Sequence, residues 1–188
     1  MRVSTLLLAL LFLAGCANKS APPANTDQQI DSSSNVSQSK SETASKELQF
    51  LKRFKIGQSL DEVKSRTSDV ELKKPTNELP IGELPEDQIV VEFNGNVSGY
   101  FYFEGTENRV GKLIMVEVFT DNKSYENGLG KQRIEAFTAL LGKPTSTQQD
   151  DEDGVLLYSA EWRKPKEIIR YADIYEWGSS ISLSTPED

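Results

Sequence analysis

The side chains that most often carry out chemistry in proteins are nearly missing from this sequence. Its 188 residues include one cysteine, Cys16, and no histidine. A lone thiol cannot form a disulfide within the chain, and zinc sites built on cysteine and histidine are excluded. Catalytic Ser-His and Cys-His pairs are excluded for the same reason. We therefore look first at the surroundings of the Cys16 thiol.

The residues before Cys16 indicate what happens to that thiol. The chain has the basic residue Arg2 near its start, continues with an apolar run from Leu6 to Ala14, and has Leu13, Ala14 and Gly15 directly before the cysteine. A basic start, a short apolar run and small residues before a cut are typical of a secretory signal. The run is well short of the roughly 20 residues that a membrane-spanning helix needs.

The stretch Leu13-Ala14-Gly15-Cys16 resembles a bacterial lipobox. The resemblance implies that residues 1–15 are removed as a signal peptide and that Cys16 is acylated with fatty acids such as palmitate. Two or more acyl chains hold a protein stably at a membrane, since each buried methylene adds about 0.8 kcal/mol. Ala17 stands where an aspartate commonly retains such proteins at the inner membrane, which favours the outer membrane and a periplasm-facing domain. The alternative is an ordinary cleaved signal with Cys16 incidental.

The charge of the chain limits its partners. It has 21 Lys and Arg against 29 Asp and Glu, a formal net charge of -8. Such a chain is repelled by nucleic acid and by anionic lipid headgroups, whereas a basic protein would be attracted to it. We predict no cofactor and no nucleic-acid partner. The sequence does not predict an oligomeric state.

The polar segment after the cysteine predicts a flexible connection. From Ala17 to Lys46 only Ile30 and Val36 are large apolar residues, too few to offset the entropy of ordering. We therefore predict a lipidated, disordered tether over residues 16–46 and a folded periplasmic domain over residues 47–188. Its possible halves are residues 47–120 and 121–188.

Helical patterns begin both halves. In the first half, Phe50, Leu51 and Phe54 follow helical spacing, and Ser59 with Glu62 forms a capping box that starts a short helix ending near Arg66. Leu60 and Val63 should face the core. In the second half a helix is predicted over residues 131–141, ended by Gly142-Lys143-Pro144.

Alternating patterns predict strands after each set of helices. The predicted strands are residues 88–94, 98–104, 112–120, 146–149, 155–163, 168–177 and 180–184. Tyr100 and Tyr102 should share one face, opposite Phe101 and Phe103. In the next strand Ile114, Val116 and Val118 should lie opposite Met115, Glu117 and Phe119. The predicted class is α+β, with short helices packed on an antiparallel sheet whose other face is partly wet.

The acidic segment Asp150 to Gly154 is the best calcium candidate. If Gly154 is aligned with the invariant glycine of an EF-hand loop, Gln149 occupies the first ligand position and Ala160 replaces the bidentate glutamate. The match fails, so we predict a hairpin turn and no metal.

Two short motifs suggest a family. The segments Gly57 to Val63 (GQSLDEV) and Leu140 to Pro144 (LLGKP) resemble a helix entry and a helix exit found in small lipoproteins of the BamE (SmpA/OmlA) type. The same helix-then-sheet unit occurs in tandem in beta-lactamase inhibitor protein. In the first half Thr67-Ser68-Asp69 replaces the exit, and in the second half Gln132 replaces the capping hydroxyl. The resemblance implies two tandem units that bind proteins through a sheet face.

Three functions follow from these patterns. The first is a non-catalytic protein-binding module of the cell envelope, because aromatic residues and methionine are enriched at interfaces. Its candidate binding residues are Tyr100, Tyr102, Met115, Phe119, Trp162 and Trp177. The second is an enzyme inhibitor or immunity-type lipoprotein that uses the segment Asp121 to Gly130. The third is a carboxylate-dependent hydrolase, which would need two of Glu92, Glu104, Glu117 and Glu161. We predict no catalytic residue.

Overall fold

Apolar residues recur with the helical period of 3.6 in some segments of the chain and with the strand period of two in others. The helices pack on one side of a sheet that the strands form. The computed structural model describes residues 32–79, 82–106, 108–120, 128–174 and 178–186, with the backbone alone described at 32–41 and 82. The lipobox and Cys16, the segment 121–127 and Trp177 lie outside these ranges. The helices are α1 (Ser32–Leu51), α2 (Leu60–Lys64) and α3 (Gly130–Leu141). The strands are β1 (Val70–Leu72), β2 (Glu78–Leu79), β3 (Gly82–Glu83), β4 (Gln88–Gly95), β5 (Gly99–Thr106), β6 (Arg109–Phe119), β7 (Ser146–Glu152), β8 (Val155–Lys164), β9 (Glu167–Ile174) and β10 (Gly178–Ser184).

Eight of these strands form one antiparallel sheet in the order β1-β4-β5-β6-β10-β9-β8-β7, and β2 pairs with β3 in a separate hairpin. The predicted α+β class is confirmed. Each half of the chain contributes a helix followed by a strand meander, and the last strands of the two halves pair at the centre, with Val118 opposite Ile181. The strand order is therefore symmetric about the β6–β10 pair, although descent from a tandem repeat stays a prediction.

The core lies between the helices and one face of the sheet. Phe50 of α1 packs against Phe93 and Phe101, with ring centroids 4.8 and 6.2 Å apart. Phe137 of α3 packs in the same way against Tyr171, at 5.6 Å. These side chains belong to one buried hydrophobic cluster, whose burial is the main favourable term in folding. None of the helices in the described ranges combines the length and apolar composition that crossing a membrane requires.

The helix ends follow the predicted sequence signals. Ser59 accepts a hydrogen bond from the amide of Glu62, and the Glu62 carboxylate accepts one from the amide of Ser59, so the capping box is present. At the start of α3 the backbone passes close to the Asp173 carboxylate. A Cβ at Gly130 would collide with the Asp173 carboxylate. That carboxylate accepts hydrogen bonds from the Tyr158 amide and the Tyr171 hydroxyl, so a larger residue at position 130 would displace it.

The first helix starts earlier than predicted. Disorder was predicted up to Lys46, whereas α1 begins at Ser32. Ala44 is fully buried, and Glu47 is buried in an ion pair with Arg133 of α3. Contacts with α3 thus compensate for the scarcity of large apolar residues in this segment, since tertiary packing supplies most helical stability in proteins.

The predicted alternation in β6 is wrong at one residue. Tyr102 pairs with Met115 and Phe103 pairs with Leu113, so Ile114 is an extra residue in the strand. This bulge buries Leu113 in the core, while Ile114 is only partly buried and does not share the face of Val116.

The acidic turn is tighter than predicted. β7 continues to Glu152, which pairs with Val155 of β8, so that only Asp153 and Gly154 form the loop. Both have positive φ angles, 51° and 80°, which is the geometry of a type I′ hairpin. Among the described residues no cluster of acidic, cysteine or histidine side chains could hold a metal ion.

Candidate protein-binding face

The strand alternation separates the aromatic residues of β5 into two sets. Phe101 and Phe103 are fully buried in the core under α1. Tyr100 and Tyr102 alternate with them and lie on the opposite side of the sheet, which we call the open face. In the part of the chain that the structure describes, the buried side chains of the helices pack on the other side.

Four residues of the open face form an aromatic patch, defined as Tyr100, Tyr102, Met115 and Phe119. Tyr102 lies opposite Met115 in the β5–β6 ladder. The Tyr100 ring meets the Phe119 ring edge-on at 5.2 Å and the Tyr102 ring at 6.1 Å. Such edge-to-face pairs contribute about 0.5–1.5 kcal/mol beyond the free energy of burying their surface. The patch is therefore a packed surface with a fixed shape.

Glu117 lies between Met115 and Phe119 on β6, beside the aromatic patch, and fixes Tyr102. The Tyr102 hydroxyl donates a hydrogen bond of 2.7 Å to Glu117 Oε2. Burial of the ring, followed by the nearby Glu117 charge, raises the pKa of Tyr102 far above its usual range. The pKa of Tyr100 is raised by burial first and then by Glu92 and Glu117. Tyr102 is only 7% exposed, so its ring supports the patch while Tyr100, Met115 and Phe119 remain partly exposed.

A strip of small residues lies beside the aromatic patch. Ser180, Ser182 and Ser184 of β10 alternate with the buried Ile181 and Leu183 and therefore belong to the open face. Ser182 stands between Glu117 of β6 and Arg170 of β9. The small side chains of this serine strip separate the aromatic patch from β9. The alternating sequence Ser-Ile-Ser-Leu-Ser could have predicted this serine strip from the sequence alone.

Beyond the serine strip the open face becomes charged. Glu161 accepts hydrogen bonds from Arg170 at 2.9 Å and from Arg163 at 3.0 Å. These bonds, the one from Arg170 above all, lower the pKa of Glu161. The face therefore offers an apolar region, a strip of small side chains and a charged rim, in that order across the sheet.

One predicted binding residue lies on the wrong side of the sheet. Trp162 is only 5% exposed and belongs to the core under α3. Its Nε1 donates to the carbonyl of Gly142 at 2.8 Å, so this ring stabilises the end of α3. Trp162 alternates with Glu161, and the period of two assigns them to opposite faces. Trp177, the other predicted tryptophan, lies outside the described residues.

No protein-family model, curated protein or solved structure matches this chain. The likeness to lipoproteins of the BamE type and to beta-lactamase inhibitor protein therefore stays a prediction from two short segments. Their local geometry is that of a helix entry at Ser59 and a helix exit at Gly142.

Three of the four glutamates considered for hydrolysis have other partners, and the fourth, Glu104, is exposed. Glu92 forms an ion pair of 2.7 Å with Lys73, Glu117 accepts from Tyr102, and Glu161 is held by two arginines. A lowered pKa at Glu161 is the opposite of what a general acid needs. A pocket of about 670 Å³ opens near Phe54, Pro165 and Pro186, and none of these glutamates lines it.

Proposed function

We propose that this chain is a lipoprotein of the outer membrane whose periplasmic domain binds another envelope protein through the open face. The binding is non-catalytic in this proposal, and the lipid on Cys16 holds the domain at the membrane. The observation that carries it is the aromatic patch beside the serine strip. The segment proposed for an inhibitor, Asp121 to Gly130, lies mostly outside the described residues, so that alternative gains no structural support.

The chemistry of the open face suits a protein partner. Tyr and Phe bring large contact area with few rotatable bonds, Met adapts its shape to irregular surfaces, and aromatic residues and Met are enriched at interfaces. The short side chains of the serine strip would let a projecting side chain or backbone of the partner approach β10. The charged rim at Glu161, Arg163 and Arg170 would contribute to specificity more than to affinity.

Site-specific photo-crosslinking in cells tests the binding surface. A benzophenone side chain in place of Phe119 should crosslink the full-length lipoprotein to a defined envelope protein. The matched control carries the same group at Leu156, a 41% exposed apolar residue of β8 that does not belong to the patch. Equal products from the two positions, or none from position 119, would contradict the proposal.

Once the partner is known, its affinity for patch variants gives a quantitative check. Combined replacement Tyr100→Ala and Phe119→Ala should weaken binding by about 2 kcal/mol or more, since both rings lie in the patch. Leu156→Ala should leave the affinity unchanged. Circular dichroism of each variant establishes that the sheet is intact.

Membrane attachment is tested separately. Labelling with a radioactive or clickable palmitate should mark the native chain and leave Cys16→Ala unlabelled. The native protein should fractionate with outer membranes. Failure of this labelling would remove the anchor from the proposal without affecting the open face.

A further inference from the structure

The two edges of the eight-stranded sheet differ in their protection. At one edge, β1 has three residues and is followed by Lys73, Lys74 and Pro75. Short length, charged side chains, above all lysine, and proline are the usual means by which proteins prevent a sheet edge from accepting another strand. At the other edge, β7 has seven residues, all exposed, and contains neither lysine nor proline.

β7 is also regular along its full length. Its pairing with β8 runs without a shift from Ser146 opposite Glu161 to Glu152 opposite Val155. A bulge would twist the edge away from a partner, and this ladder has none. No strand of the described residues lies on its outer side. Alternate backbone N–H and C=O groups of β7 therefore point into solvent, in the arrangement that an added strand would need.

The charge of β7 defines the strand that would fit. Asp150, Asp151 and Glu152 lie opposite Leu157, Leu156 and Val155, which bring no cation to them. Within the described residues no salt bridge involves these three carboxylates. The Asp151 side chain accepts a turn hydrogen bond from the amide of Gly154 at 3.0 Å. Three carboxylates on one edge of a chain with net charge -8 attract a basic segment.

We propose that β7 binds an extended segment of a partner protein as an additional strand, with Lys or Arg side chains at alternate positions of that segment facing Asp150 and Glu152, whose side chains share one face of the sheet. This surface is the sheet edge and is distinct from the open face, so the proposal does not depend on the one above. A second copy of this chain fits less well, because it would bring two acidic strands of two negatively charged molecules together.

Hydrogen exchange of the full-length protein with a defined probe tests this. The probe is a capped synthetic peptide in which lysine alternates with threonine and valine. It should slow the exchange of alternate β7 amides by at least about tenfold, because only amides that point away from β8 are free to gain a bond. One control peptide replaces lysine with glutamate. A second keeps lysine but carries N-methyl groups on alternate residues, which remove its strand-pairing edge.

Charge and backbone contributions are separated by a variant. Combined Asp150→Asn, Asp151→Asn and Glu152→Gln keeps the shape of the strand and should weaken peptide binding on the order of tenfold. The proposal is overturned if β7 exchange does not slow, or if either control peptide slows it as much. It is also overturned if protection appears only on residues 100–119, or if it grows with protein concentration without peptide, which would identify a second copy as the occupant.

Discussion

At the residue scale, Tyr102 gives the open face a measurable dependence on pH. Its pKa in the folded protein is raised far above the ordinary 10.0 by burial and by the neighbouring Glu117 carboxylate. Above pH 10 the unfolded chain therefore loses a proton from Tyr102 that the folded protein keeps. The free energy of unfolding should fall by up to about 1.4 kcal/mol per pH unit from this residue alone.

Urea unfolding at pH 9 and pH 11 measures this effect. Tyr102→Phe should lower the stability at pH 9 by about 1 kcal/mol, because Glu117 loses its hydrogen bond donor. Between the two pH values the variant should then lose less stability than the native protein. Identical losses of stability in the native protein and the variant would mean that Tyr102 ionises equally in the folded and unfolded states. Ultraviolet titration of the two proteins measures directly whether Tyr102 stays protonated as the pH rises.

The residue-level predictions succeeded where strand alternation is unbroken. Tyr100 and Tyr102 lie opposite Phe101 and Phe103 as expected, because one period of two extends over those residues of β5. The alternation failed at Ile114, since a bulge adds a residue without any mark such as glycine in the sequence. Trp162 was assigned to the binding surface by residue type, although alternation with Glu161 would have placed it in the core.

At the scale of elements, α1 and α3 are joined by a buried ion pair. Glu47 and Arg133 approach at 3.4 Å, and each side chain is only 4% exposed. Removal of one partner leaves the other buried charge less well compensated. We therefore expect Arg133→Met to lower the free energy of unfolding by about 3 kcal/mol, as measured by urea titration.

The double variant distinguishes pairing from simple loss of volume. Glu47→Leu combined with Arg133→Met should regain most of the lost stability, because two apolar side chains of similar volume replace both charges. Additive losses in the double variant would argue that the two residues act independently. The exposed pair Glu42 and Lys46 of the same helix is the control, and Lys46→Met should change stability by less than about 1 kcal/mol.

Element prediction worked best where the local signal and the tertiary structure agree. The strands over residues 88–94 and 155–163 were located to within one or two residues, since alternation and turn residues coincide there. β1 was missed because a strand of three residues is too short to show a period. The N-terminal part of α1 was missed because its stability depends on α3, which composition does not reveal.

At the scale of the whole molecule, the early start of α1 places the beginning of the folded unit at Ser32, whereas the sequence predicted Glu47. Residues from Ser32 onward form one compact unit. α1 contacts α3, β6 and β10, so it connects the two halves of the chain on the helical side of the sheet. A domain that begins at Glu47 would keep only the last turn of α1 and would lose the buried Ala44.

A fragment of residues 47–188 should therefore be at least about 2 kcal/mol less stable than one of residues 32–188, measured by urea unfolding followed by circular dichroism. The last turn alone cannot sustain a helix, and a new amino group at Glu47 would place positive charge at the positive end of the helix dipole. Ala44→Asp in the full-length chain should act in the same direction, whereas Glu42→Ala at an exposed position should not. Equal stability of the two fragments would show that the folded unit begins at residue 47, as the sequence predicted.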